Sequence, residues 1–140
     1  MVASVPSILI VEDDPFIRKL LVSAFAREPL RVDTAVDGVD ALEQLDRTAY
    51  AALLLDLMLP RMNGFEVLER LALRHPLPVI FVITAYDQAT TERLDPKIVH
   101  AIVRKPFDLE NVVPVVRECA LLCNPAPFPV DTSTEQRPRV

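Results

Sequence analysis

Four short, mostly apolar runs that each lead directly into polar or charged side chains are the strongest constraint on the fold of this chain. The runs are residues 51–55 before Asp56, residues 8–11 before Glu12, Asp13 and Asp14, residues 79–83 before Thr84, and residues 101–104 before Lys105. An apolar run without polar alternation is typical of a parallel strand that helices cover on both faces. A charge at the end of such a strand is not explained by packing. The pattern therefore predicts a cleft where these strands end.

Segments with helical periodicity alternate with the predicted strands. Strands are predicted over residues 8–11, 31–36, 51–55, 78–83 and 99–103, and helices are predicted to begin near Asp14-Pro15, Asp37-Gly38, Gly64, Asp87 and Asp108. This alternation predicts an α/β fold with parallel strands joined by right-handed crossovers. In such sheets ligands bind beyond the carboxyl ends of the strands, which is where the polar residues lie.

Length and composition limit the remaining possibilities. With 140 residues, we expect a lead-in over residues 1–6, one domain over residues 7–123 and a disordered, proline-rich tail over residues 124–140. The net charge of −5 argues against a nucleic-acid surface, and no apolar run has the ~18 residues of a membrane span. The first residues lack the features of a signal peptide, so we expect a cytoplasmic protein without a leader or a second domain.

The order and spacing of the polar residues resemble the receiver domain of two-component response regulators. The residues that carry the resemblance are Glu12-Asp13, Asp56, Thr84 and Lys105-Pro106, with Pro60 and Gly64 four and eight residues after Asp56. The resemblance covers roughly residues 7–123. It implies a doubly wound, flavodoxin-like sheet of five parallel strands in the order 2-1-3-4-5, with helices on both faces.

Three carboxylates, those of Glu12, Asp13 and Asp56, would crowd one pocket of this fold. Like charges in contact are unfavourable unless a cation neutralises them, and Mg²⁺ is a hard divalent ion that prefers oxygen ligands. The resemblance implies that Asp13, Asp56 and the backbone carbonyl of Met58 bind Mg²⁺ directly. It implies that Glu12 acts largely through water.

Asp56 is then implied to be the nucleophile that forms an acyl phosphate. Lys105 is a compact cation on a flexible stem, suited to one phosphoryl oxygen, and the Thr84 hydroxyl would contact another. The bond before Pro106 is expected to be cis, which in receivers aims the lysine into the site. Magnesium would screen the charge between the carboxylate and the incoming phosphoryl group.

The resemblance implies a stand-alone receiver that takes its phosphoryl group from a histidine kinase or a histidine phosphotransfer protein. It would act as a signalling switch or as an intermediate in a phosphorelay. A switch would change the affinity of a downstream protein for the surface formed by the fourth helix, the fifth strand and the last helix. We expect a monomer or a weak dimer.

Two other functions remain open on the sequence alone. The first is a protein-interaction module that keeps the fold and works without phosphorylation, although all five site positions carry competent residues. The second is a phosphohydrolase, but Met58 stands where an aspartyl-phosphate hydrolase needs a second acid. We therefore expect no enzymatic activity beyond slow self-dephosphorylation.

Two features depart from the receiver pattern. Ile102 stands three residues before Lys105, where most receivers carry a Tyr or Phe that swings inward when the threonine moves onto the phosphoryl group. Ile102 cannot make that exchange in the same way, which favours a role as a phosphorelay intermediate over a switch. Tyr86 is a nearby aromatic residue that could gate the site instead. In addition, residues 87–94 carry few apolar anchors, which predicts a short or loosely packed fourth helix.

Helical periodicity also predicts which side chains face the core. The first helix is expected to bury Ile17, Leu20, Leu21, Ala24 and Phe25, and the last helix Val112, Val115, Val116, Cys119, Ala120 and Cys123. Pro114 would kink the last helix unless the regular helix begins near Asn111, which places the proline in the first turn. We favour the later start.

The remaining polar residues are assigned structural roles. Asp14 is expected to be a helix cap rather than a metal ligand, His100 a structural histidine, and His75 a loop residue without a role. Cys119 and Cys123 are four residues apart and are expected to pack as small apolar groups. No further cysteine or suitably placed histidine completes a metal site in the sequence.

Overall fold

The computed structural model of this chain describes residues 5–74 and 76–122. Five parallel strands form one sheet in the order β2-β1-β3-β4-β5. The strands are β1 (Ser7–Val11), β2 (Arg31–Ala35), β3 (Ala52–Asp56), β4 (Val79–Thr84) and β5 (Val99–Arg104). The helices are α1 (Pro15–Ala24), α2 (Gly38–Arg47), α3 (Gly64–Leu71), α4 (Gln88–Thr91) and α5 (Leu109–Leu122). The predicted fold class and strand order are confirmed.

The core consists of two apolar layers, one on each face of the sheet. Successive residues of a strand point to opposite faces, so Leu53 and Leu55 lie in one layer and Leu54 in the other. The first layer includes residues of α2 and α3, and the second includes residues of α1 and α5. β3 is the central strand and is buried at every position. Its last residue, Asp56, therefore lies at the carboxyl end of the sheet, directly above the core.

Helices α1 and α3 begin where the sequence predicts, each after a capping side chain. The Asp14 carboxylate accepts from the backbone N–H of Phe16 at 2.8 Å and of Ile17 at 3.3 Å, so it caps α1 as expected. At the start of α3, Asn63 and Glu66 form a reciprocal capping box, with each side chain accepting from the other's backbone N–H at 3.0 Å. These caps fix the helix starts beside the strand ends.

Two residues predicted to face the core are exposed instead. Leu20 of α1 keeps 44% of its surface accessible and Val115 of α5 keeps 48%. Residues four apart in a helix drift by about 40° around its axis. The buried line through Val112, Val116 and Ala120 therefore drifts away from Val115 and towards Val113, which is buried. The same drift along α1, whose buried residue is Leu21, turns Leu20 outward.

The expected late start of the last helix is wrong. Asp108 accepts from the backbone N–H of Asn111 at 3.0 Å and of Val112 at 3.2 Å through its carbonyl, so α5 begins at Leu109. Pro114 consequently lies inside the helix. Because proline has no N–H, the carbonyl of Glu110 loses its helical partner. Glu110 is exposed, so water can satisfy that carbonyl.

The short fourth helix is confirmed, since α4 spans four residues. Among the helices that the structure describes, none is long and apolar enough to cross a membrane. Cys123, His75 and the predicted tail over residues 124–140 lie outside the described residues.

Candidate functional site

The predicted site residues lie together at the carboxyl end of the sheet. Glu12 follows β1, Asp56 ends β3, Thr84 ends β4 and Lys105 follows β5. Val11 pairs with Leu55, Asp56 pairs with Ile83, and Thr84 pairs with Arg104 in the strand register. The parallel register therefore aligns the four strand ends side by side.

An acidic cluster occupies the centre of this carboxyl end. Glu12, Asp13 and Asp56 each offer a carboxylate oxygen, and these oxygens lie within 4.8 Å of one another. Glu12 and Asp56 are buried, with 2% and 3% exposure, whereas Asp13 is open to solvent. Burial, together with the negative charge of Asp56, raises the pKa of Glu12.

Lys105 supplies the positive charge of the pocket. Its ammonium lies 3.0 Å from Oδ2 of Asp56 and 3.1 Å from Oε1 of Glu12. Burial acts to lower the pKa of Lys105, but the hydrogen bond and charge of Asp56 outweigh it and raise that pKa. One ammonium cannot balance three carboxylates. The oxygen-rich, over-charged donor set therefore fits a hard divalent cation.

The Asp56 carboxylate is held in a fixed orientation. Its Oδ2 accepts from Lys105, and its Oδ1 accepts from the backbone N–H of Met58 at 3.1 Å. The side chain of Met58 is exposed, so the residue contributes to the site through its backbone. A carboxylate oriented beside an ammonium, within an acidic cluster that could hold a cation, is arranged to attack an electrophile that carries negative charge.

Thr84 stands beside this cluster and is fully buried. Its Oγ1 accepts from the backbone N–H of Tyr86 at 3.0 Å, and its carbonyl accepts from the backbone N–H of Lys105 at 2.9 Å. The peptide bond between Lys105 and Pro106 is cis, as expected. The hydroxyl oxygen is thus already engaged as an acceptor, which leaves its proton for donation.

Both glycines of the chain support the loop that follows Asp56. The Gly64 N–H donates to the Leu57 carbonyl at 2.9 Å, and a side-chain carbon on Gly64 would come 2.5 Å from the carbonyl oxygen of Asp56. A side-chain carbon on Gly38 would collide with the backbone of Met62. Close backbone approach therefore requires glycine at both positions.

Tyr86 and Ile102 lie on different surfaces of the domain. Tyr86 is half-buried and packs against Phe65, with ring centroids 5.8 Å apart. Both rings line an open cleft of about 490 Å³ between α3 and α4. Ile102 instead lies in a groove of about 290 Å³ between β5 and α5, together with Phe107. Tyr86 and Ile102 therefore line different depressions, and gating of the site by Tyr86 stays a prediction.

Sequence reasoning missed the contacts that two residues of β5 make. Arg104 donates to the Tyr86 carbonyl and to the Thr91 hydroxyl, both at 2.6 Å. His100 packs edge-on against the ring of Phe81, and its Nε2 lies 3.8 Å from Sγ of Cys119. A histidine therefore stands beside Cys119, although the two residues form no part of the metal-ligating group among the described residues. None of these contacts leaves a local signal, because the partners are more than ten residues apart.

Comparison with protein families identifies relatives for most of the chain. Residues 8–117 match the family model of the response regulator receiver domain. The chain is 33% identical over 107 residues to response regulator RR06 of Streptococcus pneumoniae, covering 76% of this chain and 49% of that protein. It is 37% identical over 114 residues to response regulator ArlR of Staphylococcus aureus, covering 79% and 50%. The chain spans about half the length of the curated relatives it matches.

Solved structures share the same architecture. Response regulator TrrA of Thermotoga maritima, determined in complex with Mg²⁺-BeF, has a TM-score of 0.72 and 28% identity, covering 81% of this chain and 98% of that one. The signal receiver domain of a putative LuxO repressor protein from Vibrio parahaemolyticus has a TM-score of 0.78 and 24% identity, covering 84% and 92%. The second likeness is one of fold alone.

Proposed function

Because this chain belongs to the response regulator receiver domain family, we propose that it accepts a phosphoryl group on Asp56. One observation carries the proposal. The buried Asp56 carboxylate is held between the Lys105 ammonium and the Met58 N–H, next to two further acids. This arrangement orients a nucleophile and surrounds it with groups suited to a phosphate dianion.

The proposed donor is the phosphohistidine of a histidine kinase or of a histidine phosphotransfer protein. A carboxylate oxygen of Asp56 forms a new bond to phosphorus while the bond from phosphorus to the imidazole nitrogen breaks. The imidazole leaves with the bonding electron pair and takes up a proton from water. The product is an acyl phosphate on Asp56.

The residues around Asp56 have separate tasks in this transfer. Lys105 is positioned to move its ammonium from the free carboxylate to a phosphoryl oxygen, because it already contacts Oδ2 of Asp56. Thr84 is positioned to donate its hydroxyl proton to another phosphoryl oxygen, because its own oxygen is occupied by Tyr86. Both contacts stabilise charge that the incoming group brings into a buried site.

Mg²⁺ is the proposed cofactor. Asp13, Asp56 and the Met58 carbonyl would hold it, with Glu12 acting largely through water; when bound, it would screen the charge between the carboxylate and the phosphoryl group. The surplus negative charge of the cluster supports this assignment. The complex of TrrA with Mg²⁺-BeF, a relative at 28% identity, supports it as well.

The phosphorylated chain is proposed to act in the cytoplasm as a switch or relay intermediate. A switch would signal to a downstream protein through α4, β5 and α5. Hydrolysis of the acyl phosphate is expected to be slow, because Met58 and not an acid stands two residues after Asp56. The aliphatic, partly exposed Ile102 favours the relay over the switch. A module that binds partners without phosphorylation is the second candidate.

The proposal is tested by intact mass after incubation with Mg²⁺ and acetyl phosphate, and then with a phosphorylated histidine protein. Wild type and Asp14→Asn, which retains a capping side chain next to the cluster, should gain one phosphoryl group. Asp56→Asn should gain none. Absence of an adduct in the wild type with both donors would exclude the switch and the relay and favour the phosphorylation-independent module.

A further inference from the structure

Arg104 connects the end of β5 to the loop between β4 and α4. It directly precedes Lys105, but whereas Lys105 contacts the acidic cluster, the Arg104 guanidinium contacts that loop. One guanidinium nitrogen donates to the Tyr86 carbonyl and the other to the Thr91 hydroxyl oxygen, both at 2.6 Å. Hydrogen bonds of this length from a charged donor are among the stronger ones in proteins.

Thr91 is the point at which this contact reaches α4. It is the buried residue of the helix, with 2% exposure. Its hydroxyl oxygen accepts from Arg104 while its proton is directed to the Asp87 carbonyl at 3.2 Å or the Gln88 carbonyl at 3.1 Å. A helix of one turn has little intrinsic stability. The contact between Thr91 and Arg104 therefore ties α4 to the end of β5.

Tyr86 is the point at which the same contact reaches Thr84. Its carbonyl accepts from Arg104, and its N–H donates to Oγ1 of Thr84 at 3.0 Å. A hydroxyl whose oxygen is occupied by a donor keeps its proton for another acceptor. By fixing Tyr86, Arg104 therefore fixes the direction in which Thr84 can donate.

These contacts form one continuous chain from the site to α4. We propose that Arg104 is a positioning residue that orients the Thr84 hydroxyl for the phosphoryl group and transmits the movement of Thr84 to α4. When Thr84 moves towards the phosphoryl group, Tyr86 follows, and the guanidinium that holds Tyr86 displaces Thr91. This route does not use position 102, where Ile102 has no polar group to exchange. The inference rests on the proposed phosphorylation of Asp56.

The experiment measures two quantities on the full chain with Mg²⁺ and acetyl phosphate. Intact mass gives the rate and extent of adduct formation, and hydrogen exchange gives the protection of amides in residues 85–94 with and without the adduct. The variants are Arg104→Met, Arg104→Lys and Thr91→Val. The matched control is Arg93→Met, an exposed arginine of the same segment. Thr91→Val preserves the shape of the buried side chain and tests the contact if Arg104→Met fails to fold.

In the wild type and in Arg93→Met, phosphorylation should change exchange across residues 85–94. In Arg104→Met this change should disappear, and adduct formation should slow about five-fold, the effect of losing one hydrogen bond that orients a reacting group. Thr91→Val should lose the exchange change but keep the wild-type rate, since Tyr86 remains held. Arg104→Lys should restore part of the rate without the exchange change, because an ammonium lacks the guanidinium fork.

The outcomes separate this inference from the function on which it rests. An adduct on wild type with an undiminished exchange change in both Arg104→Met and Thr91→Val would overturn the inference and leave the proposed function intact. No adduct on wild type from acetyl phosphate or from a phosphorylated histidine protein would overturn both.

Discussion

Asp37 binds Arg61 across the gap between the start of α2 and the loop after β3. The Asp37 Oδ2 accepts from Nε of Arg61 at 2.8 Å, and its Oδ1 accepts from Nη2 at 3.2 Å. Oδ1 also accepts from the backbone N–H of Asp40 at 2.8 Å, which caps α2. Arg61 itself has a left-handed backbone, with φ of 65°. The Asp37 carboxylate therefore fixes both the start of α2 and the loop that follows Asp56.

Replacing Asp37 should destabilise the fold. Asp37→Ala removes the cap and the ion pair together and should lower the free energy of unfolding by about 1–2 kcal/mol. Asp37→Asn keeps an acceptor for the cap and should cost less. Urea unfolding followed by circular dichroism measures both. Asp46→Asn, which breaks an exposed ion pair with Arg74, is the control and should have a small effect.

The contribution of Asp37 should depend on pH. The hydrogen bonds from Arg61 and from the Asp40 N–H lower the pKa of Asp37 in the folded state. The unfolded state therefore binds the proton more readily, and stability from this group is present above about pH 3.9 and lost as the pH falls through the lower folded pKa. The stability gap between wild type and Asp37→Asn should narrow below pH 4. A gap that stays constant down to pH 3 would contradict the assignment.

Much of the site was predictable because its signals are local in sequence. An apolar run that ends in Asp56 and an Asp14-Pro15 pair before a helix each report on a few neighbouring residues. Parallel strands then bring their ends together without further information. The pairs Asp37–Arg61 and Arg104–Thr91 were not predictable, because each depends on the register of distant elements.

The errors in the helices have a similar origin. Leu20 and Val115 each fit a periodic pattern, but the drift of an α-helix decides which side of the pattern is covered. Pro114 argued for a late start of α5, yet the Asp108 carboxylate accepts from the Glu110 N–H at 3.0 Å, and the helix begins at Leu109. A cap outweighs a single proline when the carbonyl left without a partner faces water.

Mg²⁺ should stabilise the unphosphorylated protein. A cation that binds the native acids and not the unfolded chain raises the free energy of unfolding by about 2.7 kcal/mol at one hundred times its dissociation constant. Asp13→Asn removes an exposed member of the cluster and should greatly reduce this gain. Without Mg²⁺ the same variant should be at least as stable as wild type, because it relieves repulsion.

Thermal unfolding across a Mg²⁺ titration measures the effect, with Asp14→Asn as the neighbouring control. Asp14→Asn should keep the full gain, because Asp14 caps α1. An equal gain in Asp13→Asn and wild type would exclude Asp13 from the cation site.

Tyr50 anchors the opposite end of the sheet. Its hydroxyl donates to Oδ2 of Asp33 at 2.6 Å and is buried with the ring. Tyr50→Phe should therefore lower the free energy of unfolding by about 1–2 kcal/mol. Tyr86→Phe, the change at the other tyrosine of the chain, should have a smaller effect, because that ring packs at the edge of an open cleft.

The stabilisation by the hydrogen bond from Tyr50 to Asp33 should also vanish at high pH. Burial and the Asp33 carboxylate raise the pKa of Tyr50 to about 12. Since a free tyrosine ionises near pH 10, this stabilisation is complete below about pH 10 and is lost as the pH rises towards 12. Urea unfolding at pH 8 and pH 11 tests the expectation. A gap between wild type and Tyr50→Phe that widens at pH 11 would contradict it.

Pro114 should be a point at which the protein can be stabilised. Pro114→Ala returns a donor to the Glu110 carbonyl and removes the clash of the ring with the preceding turn. The free energy of unfolding should rise by about 1–3 kcal/mol, the range expected for proline in a helix interior. Pro96→Ala, in an exposed turn, is the control and should be neutral or slightly destabilising. Equal effects at both positions would mean that α5 tolerates the proline without strain.

Gly38 and Gly64 restrict the length of one surface loop, whereas another loop is free to change its length. Surface loops ordinarily accept insertions and deletions. Residues 57–63 should not, because Gly38 lies against the Met62 backbone and Gly64 against the Asp56 carbonyl and Leu57, each without room for one side-chain carbon. The turn over residues 92–98 borders an open cleft instead. Descendants of this sequence should therefore vary in length between α4 and β5 while the loop after Asp56 keeps its length.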